Sequence, residues 1–180
     1  NKAQEENFFA DVQEEAAFQY AKVSYELEHF ANTIATLQKF KQAYATSKHL
    51  PEANALLGEA YLRTNDYDLA MMYIEGLETK SQRMLEVYQK ATFCKGSEYF
   101  NNAAYAQAIS MLRKSLNHPC DPALATQAQL WLGDSLAALQ QYEQAIPVYQ
   151  HVLERLAPTD TLYHQAVYGL GYAYFNTANY

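Results

Sequence analysis

The chain has 180 residues, 49% of them hydrophobic and 18% charged, with a formal net charge of −7 at pH 7. So apolar a composition excludes a disordered polypeptide, and the acidic balance, with no run of Lys or Arg, argues against a nucleic-acid partner. No apolar run approaches the roughly 18 residues that a membrane span requires.

From the N-terminus, the first regular feature is Ala21, followed by Phe30 nine residues on and Thr33 three after that. The same spacing then returns with sharper residues: Gly58, Tyr67 and Ala70; Gly96, Tyr105 and Ala108; Gly133, Tyr142 and Ala145. The glycines Gly58, Gly96, Gly133 and Gly171 lie 38, 37 and 38 residues apart. A fixed period in this range marks a repeat array. The approximate units are residues 8–47, 48–80, 81–119 and 120–158, with a partial fifth at 159–180.

Each unit reads as two helices. The second opens with Pro51 near a first helical position, where its missing N–H is harmless. It turns at Thr64, Asn65 and Asp66, and continues an apolar stripe through Ala70, Ile74 and Leu77. In the fourth, Leu130, Leu132, Leu136 and Leu139 mark the first helix, and Gln140 and Gln141 make the turn. Tyr142, Ile146, Tyr149, Val152 and Leu153 then stripe the second helix at helical spacing. Pro147 interrupts that helix and is expected to bend it. Pro158 ends the unit, and Thr159 and Asp160 offer an N-cap for the next helix. No segment alternates with period two, so the fold class is all-α.

A glycine inside a helix costs about 1 kcal/mol relative to alanine. Its return in every unit points to a close crossing of antiparallel helices, with glycine on one helix and alanine on the other supplying the gap. The tyrosine between them begins the second helix and lies over the turn.

These residues resemble the tetratricopeptide repeat family. The resemblance rests on Leu57-Gly58, Tyr61, Tyr67 and Ala70; on Gly96, Tyr99, Tyr105 and Ala108; on Leu132-Gly133, Tyr142, Ala145 and Tyr149; and on Leu170-Gly171 and Tyr174. It implies a right-handed superhelical solenoid whose concave face takes a segment of a partner protein. The longer period is similar to that of bacterial cell-envelope proteins of the BamD and YbgF/CpoB type, which implies an envelope or periplasmic setting, with the cytoplasm as the alternative. Lys95 before Gly96, Ser24 in place of the later tyrosine, and Pro147 depart from the family pattern.

By the same resemblance, the groove would be lined by first-helix positions six and three before the glycine and one, four and five after it. Among these are Phe18, Lys22, Tyr25, Glu59, Arg63, Phe93, Phe100, Asp134, Tyr168, Tyr172 and Phe175. The rings are candidate anchors for a protein or peptide; alternatively they pack between neighbouring first helices. The family's clamp for a terminal carboxylate uses Lys, Asn and Arg. Only Lys22 and Lys90 stand at groove positions, which puts that specificity in doubt.

Catalysis has little support. The five histidines are scattered, no glycine-rich phosphate loop follows a strand, and the serines lack a nucleophile-elbow context. Cys94 and Cys120 form no metal motif, so neither a metal nor a cofactor is expected. The reading is a non-enzymatic interaction scaffold. Two alternatives stay open: an aromatic arc that binds glycans or small ligands, and a regulatory segment of an enzyme. Tyr180 corresponds to the start of an unfinished second helix. The chain is therefore expected to be part of a longer array, able to self-associate through an uncapped C-terminal end.

Overall fold

The computed structural model describes residues 2–177, with side chains from Phe9 onward. Among the described residues there are nine helices and no strands. They are α1 (Lys2–Glu26), α2 (Phe30–Ala43), α3 (Leu50–Arg63), α4 (Tyr67–Glu75), α5 (Gln82–Asn101), α6 (Tyr105–Leu116), α7 (Pro122–Ala138), α8 (Tyr142–Leu153) and α9 (Thr161–Asn176). Two compact units divide the chain at residues 87 and 88, inside α5. In the first, α1 packs on α2 and α3, α2 on α3, and α3 on α4. In the second, α6 packs on α7, α7 on α8 and α9, and α8 on α9.

The spaced aromatics begin helices. Phe30, Tyr67, Tyr105 and Tyr142 are the first residues of α2, α4, α6 and α8. Two residues before each stands a residue of positive φ: Glu28 (59°), Asn65 (58°), Ala103 (57°) and Gln140 (59°). The following amide reaches back to the preceding helix, from His29 to the Ser24 carbonyl, Asp66 to Tyr61, Ala104 to Tyr99 and Gln141 to Leu136. A left-handed residue with this reach-back hydrogen bond closes the end of a helix and reverses the chain within a few residues. None of the four is glycine, so each carries a steric cost of order 1–2 kcal/mol.

Two of the first helices are entered differently. Asp121 caps α7, its Oδ1 accepting from the Ala123 and Leu124 amides at 2.9 and 3.1 Å. Asp160 caps α9 by accepting from the Leu162 amide at 2.8 Å. Buried Gln89 of α5 fixes the start of α7. Its Nε2 donates to the Asp121 carbonyl (3.1 Å), and its Oε1 accepts from the Asp121 amide (2.8 Å). α8 runs through Pro147 without a break, with the proline on its exposed side.

The glycines meet side chains sixteen residues on, one turn beyond the alanines. A Cβ on Gly58 would meet Ile74 Cδ1 at 3.5 Å; on Gly96, Leu112 Cγ at 2.9 Å; on Gly133, Tyr149 Cε1 at 2.7 Å. Ala70, Ala108 and Ala145 are fully buried beside these crossings. Gly171 departs from the expectation. It is exposed, nothing lies within 4 Å of its Cβ position, and the residue sixteen on falls outside the described chain. The close contact on α9 is made instead by Gly169, whose Cβ would sit 2.5 Å from Tyr149 Cζ. Val167 and Phe175 share an exposed stripe with Gly171. Tyr180 and the unfinished helix expected there lie outside the described residues.

Two predictions follow from these geometries. Gly58→Ala leaves stability unchanged or raises it by about 1 kcal/mol, because only ordinary contacts greet the new methyl. Gly133→Ala lowers it by about 1–3 kcal/mol, since a buried ring must move; urea unfolding of both variants gives the order. Ala103→Gly raises stability by about 0.5–1 kcal/mol in the same assay by relieving the left-handed strain.

Candidate functional site

In the first unit, the groove positions are occupied by contacts of the chain with itself. Phe18 is 1% exposed, stacked on His49 (centroids 4.4 Å apart) and tilted against Phe40 at 5.7 Å. It is a core residue and cannot anchor a partner, a correction to the expectation that it lines the groove. One turn along α1, Lys22 pairs with Glu52 at 2.8 Å. The Tyr25 hydroxyl donates to Glu59 Oε2 at 2.8 Å, and Arg83 grips the same carboxylate with Nε on Oε1 and a terminal nitrogen 2.8 Å from Oε2. Burial, and then the bond to Glu59, push the Tyr25 phenol up to about 12. Arg63 pairs with Glu28 at 3.1 Å and lies 5.4 Å from the Phe30 ring centroid. Every cation named at these positions already has a carboxylate.

The second unit differs. An open cleft of about 870 Å³ lies along α7 and α9, with walls contributed by α5 and α8. Phe100, Trp131, Asp134, Tyr142, Tyr149, His164, Tyr168 and Tyr172 supply its chemistry, and Ala137, Ala138, Gln165 and Gly169 leave it room. Of the expected groove residues in this unit, Phe100, Asp134, Tyr168 and Tyr172 line it together. Phe93 does not. Its ring lies 6.0 Å from Trp131 and packs against the core, so here the alternative of packing between first helices applies. Phe175, 65% exposed on the last turn of α9, is outside the lining.

The rings brace one another. Phe100 is tilted on Trp131 at 5.1 Å, and Tyr142 meets Tyr172 edge-on at 5.9 Å. Tyr168 is 79% exposed and presents its ring to solvent. Tyr149 is almost wholly buried, with its hydroxyl donating to Asp134 Oδ1 at 2.7 Å. Burial raises the Asp134 pKa above its ordinary 3.8, and the Tyr149 hydroxyl pulls it partly back. Trp131, Tyr142, Tyr149 and His164 were not among the residues expected from the sequence. Trp131 is the chain's single tryptophan, two residues before Gly133, and that was the available signal.

Among the described residues, no group of three or more His, Cys, Asp or Glu side chains could hold a metal ion. No helix among them is long and apolar enough to cross a membrane. Cys94 and Cys120 are both half-buried and are not joined in a disulfide. His151 and Glu154 form a surface pair at 3.5 Å.

Residues 51–77 and 127–158 each match a model described as tetratricopeptide repeat. These two stretches are tetratricopeptide repeats. Its fold is similar to solved structures of MamA: a form named mutant 2 (17% identity, 93% of this chain and 85% of that one, TM-score 0.52) and the RS-1 ArsTM double mutant (19%, 91% and 84%, 0.52). At this identity the likeness concerns the fold alone. No curated protein matches the sequence. Tetratricopeptide repeats build protein-interaction scaffolds, and that general role holds for this chain.

The pair at the cleft floor gives a pH-dependent prediction. A carboxyl whose pKa is raised by folding makes its full contribution below its unfolded value, and stability falls as pH rises through the folded value. Tyr149→Phe removes the one group that lowers the Asp134 pKa, so the Asp134 titration, followed by carboxyl carbon NMR, moves further upward. The variant also loses about 1–2 kcal/mol, because a half-buried carboxylate is left without its donor.

Proposed function

We propose that the second unit holds a segment of a partner protein in the cleft along α7 and α9, and that the chain is a non-catalytic adaptor within a larger assembly. One observation carries this reading: the unit leaves an aromatic cleft open where the first unit has consumed its groove positions in internal pairs. Braced rings lose little freedom on binding, and they give contact area to apolar and polar partner groups alike. Repeats of this kind are typically non-catalytic.

The terminal-carboxylate clamp draws no support from Lys22, which is already paired with Glu52 at 2.8 Å. The glycan alternative would be favoured by Phe93, Phe100 and Tyr172 clustering on one open surface. Phe93 is packed behind Trp131 and is not in the lining that Phe100 and Tyr172 share. The long repeat period is the one feature that favours a bacterial envelope assembly as the setting.

Tyr168 tests the reading cleanly, since its ring is 79% exposed and its removal leaves the core intact. Tyr168→Ala is expected to keep the wild-type unfolding curve and to lose on the order of tenfold or more in affinity for peptides selected against the wild-type protein. Unaltered capture by Tyr168→Ala would place the binding surface elsewhere.

A further inference from the structure

The residue following each repeat glycine occupies one position on the first helix, and two units place a carboxylate there: Glu59 after Gly58 and Asp134 after Gly133. The first unit shows what such a carboxylate gathers around itself. Glu59 accepts from the Tyr25 hydroxyl on the preceding first helix and is held by the Arg83 guanidinium at the start of the following one. A guanidinium suits this role, since its parallel N–H groups match the two oxygens of a carboxylate.

Asp134 has lost both partners. At the repeat position of Tyr25, four after the small residue of the preceding unit, stands Phe100, which has no hydroxyl. At the position of Arg83, thirteen before the following glycine, stands Pro158. Tyr149 of α8 bonds Oδ1, and the other oxygen makes no hydrogen bond to the described residues. No lysine or arginine lines the cleft, and His164, which does, forms no ion pair with Asp134. A half-buried carboxylate thus lines one cleft with Phe100, Trp131, Tyr168 and Tyr172, and no Lys or Arg lines it with them. A cation over aromatic faces is further stabilised by the ring quadrupoles.

We propose that the cleft recognises a basic side chain, arginine foremost, projecting from a partner protein segment: Asp134 is its counter-ion, the exposed Tyr168 ring and the other lining rings supply apolar and π contact to its planar head, and it takes the place that Arg83 fills in the first unit. The inference rests on the cleft being the partner site and adds the chemistry of the partner. It agrees with an overall charge of −7, which draws a basic segment toward the chain.

The test is selection of a random dodecapeptide display library on the wild-type protein, with Tyr168→Ala and Asp134→Asn selected in parallel. Asparagine keeps an acceptor for the Tyr149 hydroxyl, and an unchanged thermal melt confirms its fold. The most enriched peptide is then titrated against its twin in which citrulline, the neutral isostere, replaces arginine. Emission from Trp131, the only tryptophan, reports occupancy of the cleft. Expected are Tyr168-dependent peptides enriched in Arg or Lys, enrichment lost on Asp134→Asn, and affinity lower for the citrulline twin by on the order of tenfold or more. Tyr168-dependent peptides without basic enrichment, or equal binding of the arginine and citrulline twins, overturn the basic-residue assignment and leave the cleft as a partner site. Failure to enrich any Tyr168-dependent peptide overturns both.

Discussion

The wedging of a large second-helix side chain between small residues of the flanking first helices sets the geometry of the second unit. The Tyr149 ring is clamped from one side by Gly133 of α7 and from the other by Gly169 of α9. Adding a methyl on either side would bring carbon within 2.7 or 2.5 Å of the ring. Two first helices can flank an aromatic ring this closely only where both lack a Cβ. Because the ring is held there, its hydroxyl lands on Asp134, and the floor of the cleft follows from the packing of its wall.

The same wedge is graded along the chain. Ile74 meets Gly58 at ordinary contact distance, Leu112 presses closer on Gly96, and Tyr149 is the closest of these three on Gly133. The opposing residue is glycine each time, so the closeness of the contact follows the wedge side chain, within an interior that leaves little void. The turns obey a second constraint. Each reversal needs one left-handed residue and an aromatic directly after the turn, and the chain meets it with Glu28, Asn65, Ala103 and Gln140 although only Asn is favoured at such an angle. The strain is offset by the ring that starts the next helix and by the hydrogen bond across the turn.

Much of this was legible beforehand. The aromatic starts of α2, α4, α6 and α8, the Asp160 cap and the turn at Thr64, Asn65 and Asp66 are local events, written in residues that touch within a few positions. The partner of each glycine was harder to see, because side chains on antiparallel helices meet at a separation set by the turn; the contact falls on Ile74, Leu112 and Tyr149, one turn past the expected alanines. Gly169 escaped notice because it breaks the period, yet it makes the tightest contact of all. Phe18 and Phe93 occupy the same repeat position, three before the small residue, and both proved to be packed: Phe18 under His49, Phe93 against Trp131.

Sequence alone determined the helical repeat, its 37–38-residue period, the residues that open each second helix and the all-helical character of the described residues, since all of these depend on local propensity and spacing. Only the tertiary structure decided which rings are core and which line a cleft, and which carboxylate is already paired. Glu59 and Asp134 hold one position in the repeat and meet opposite fates, because their surroundings come from the neighbouring repeats: Tyr25 and Arg83 in one case, Phe100 and Pro158 in the other. A side chain's chemistry is local, but its partners are chosen by packing across the repeat.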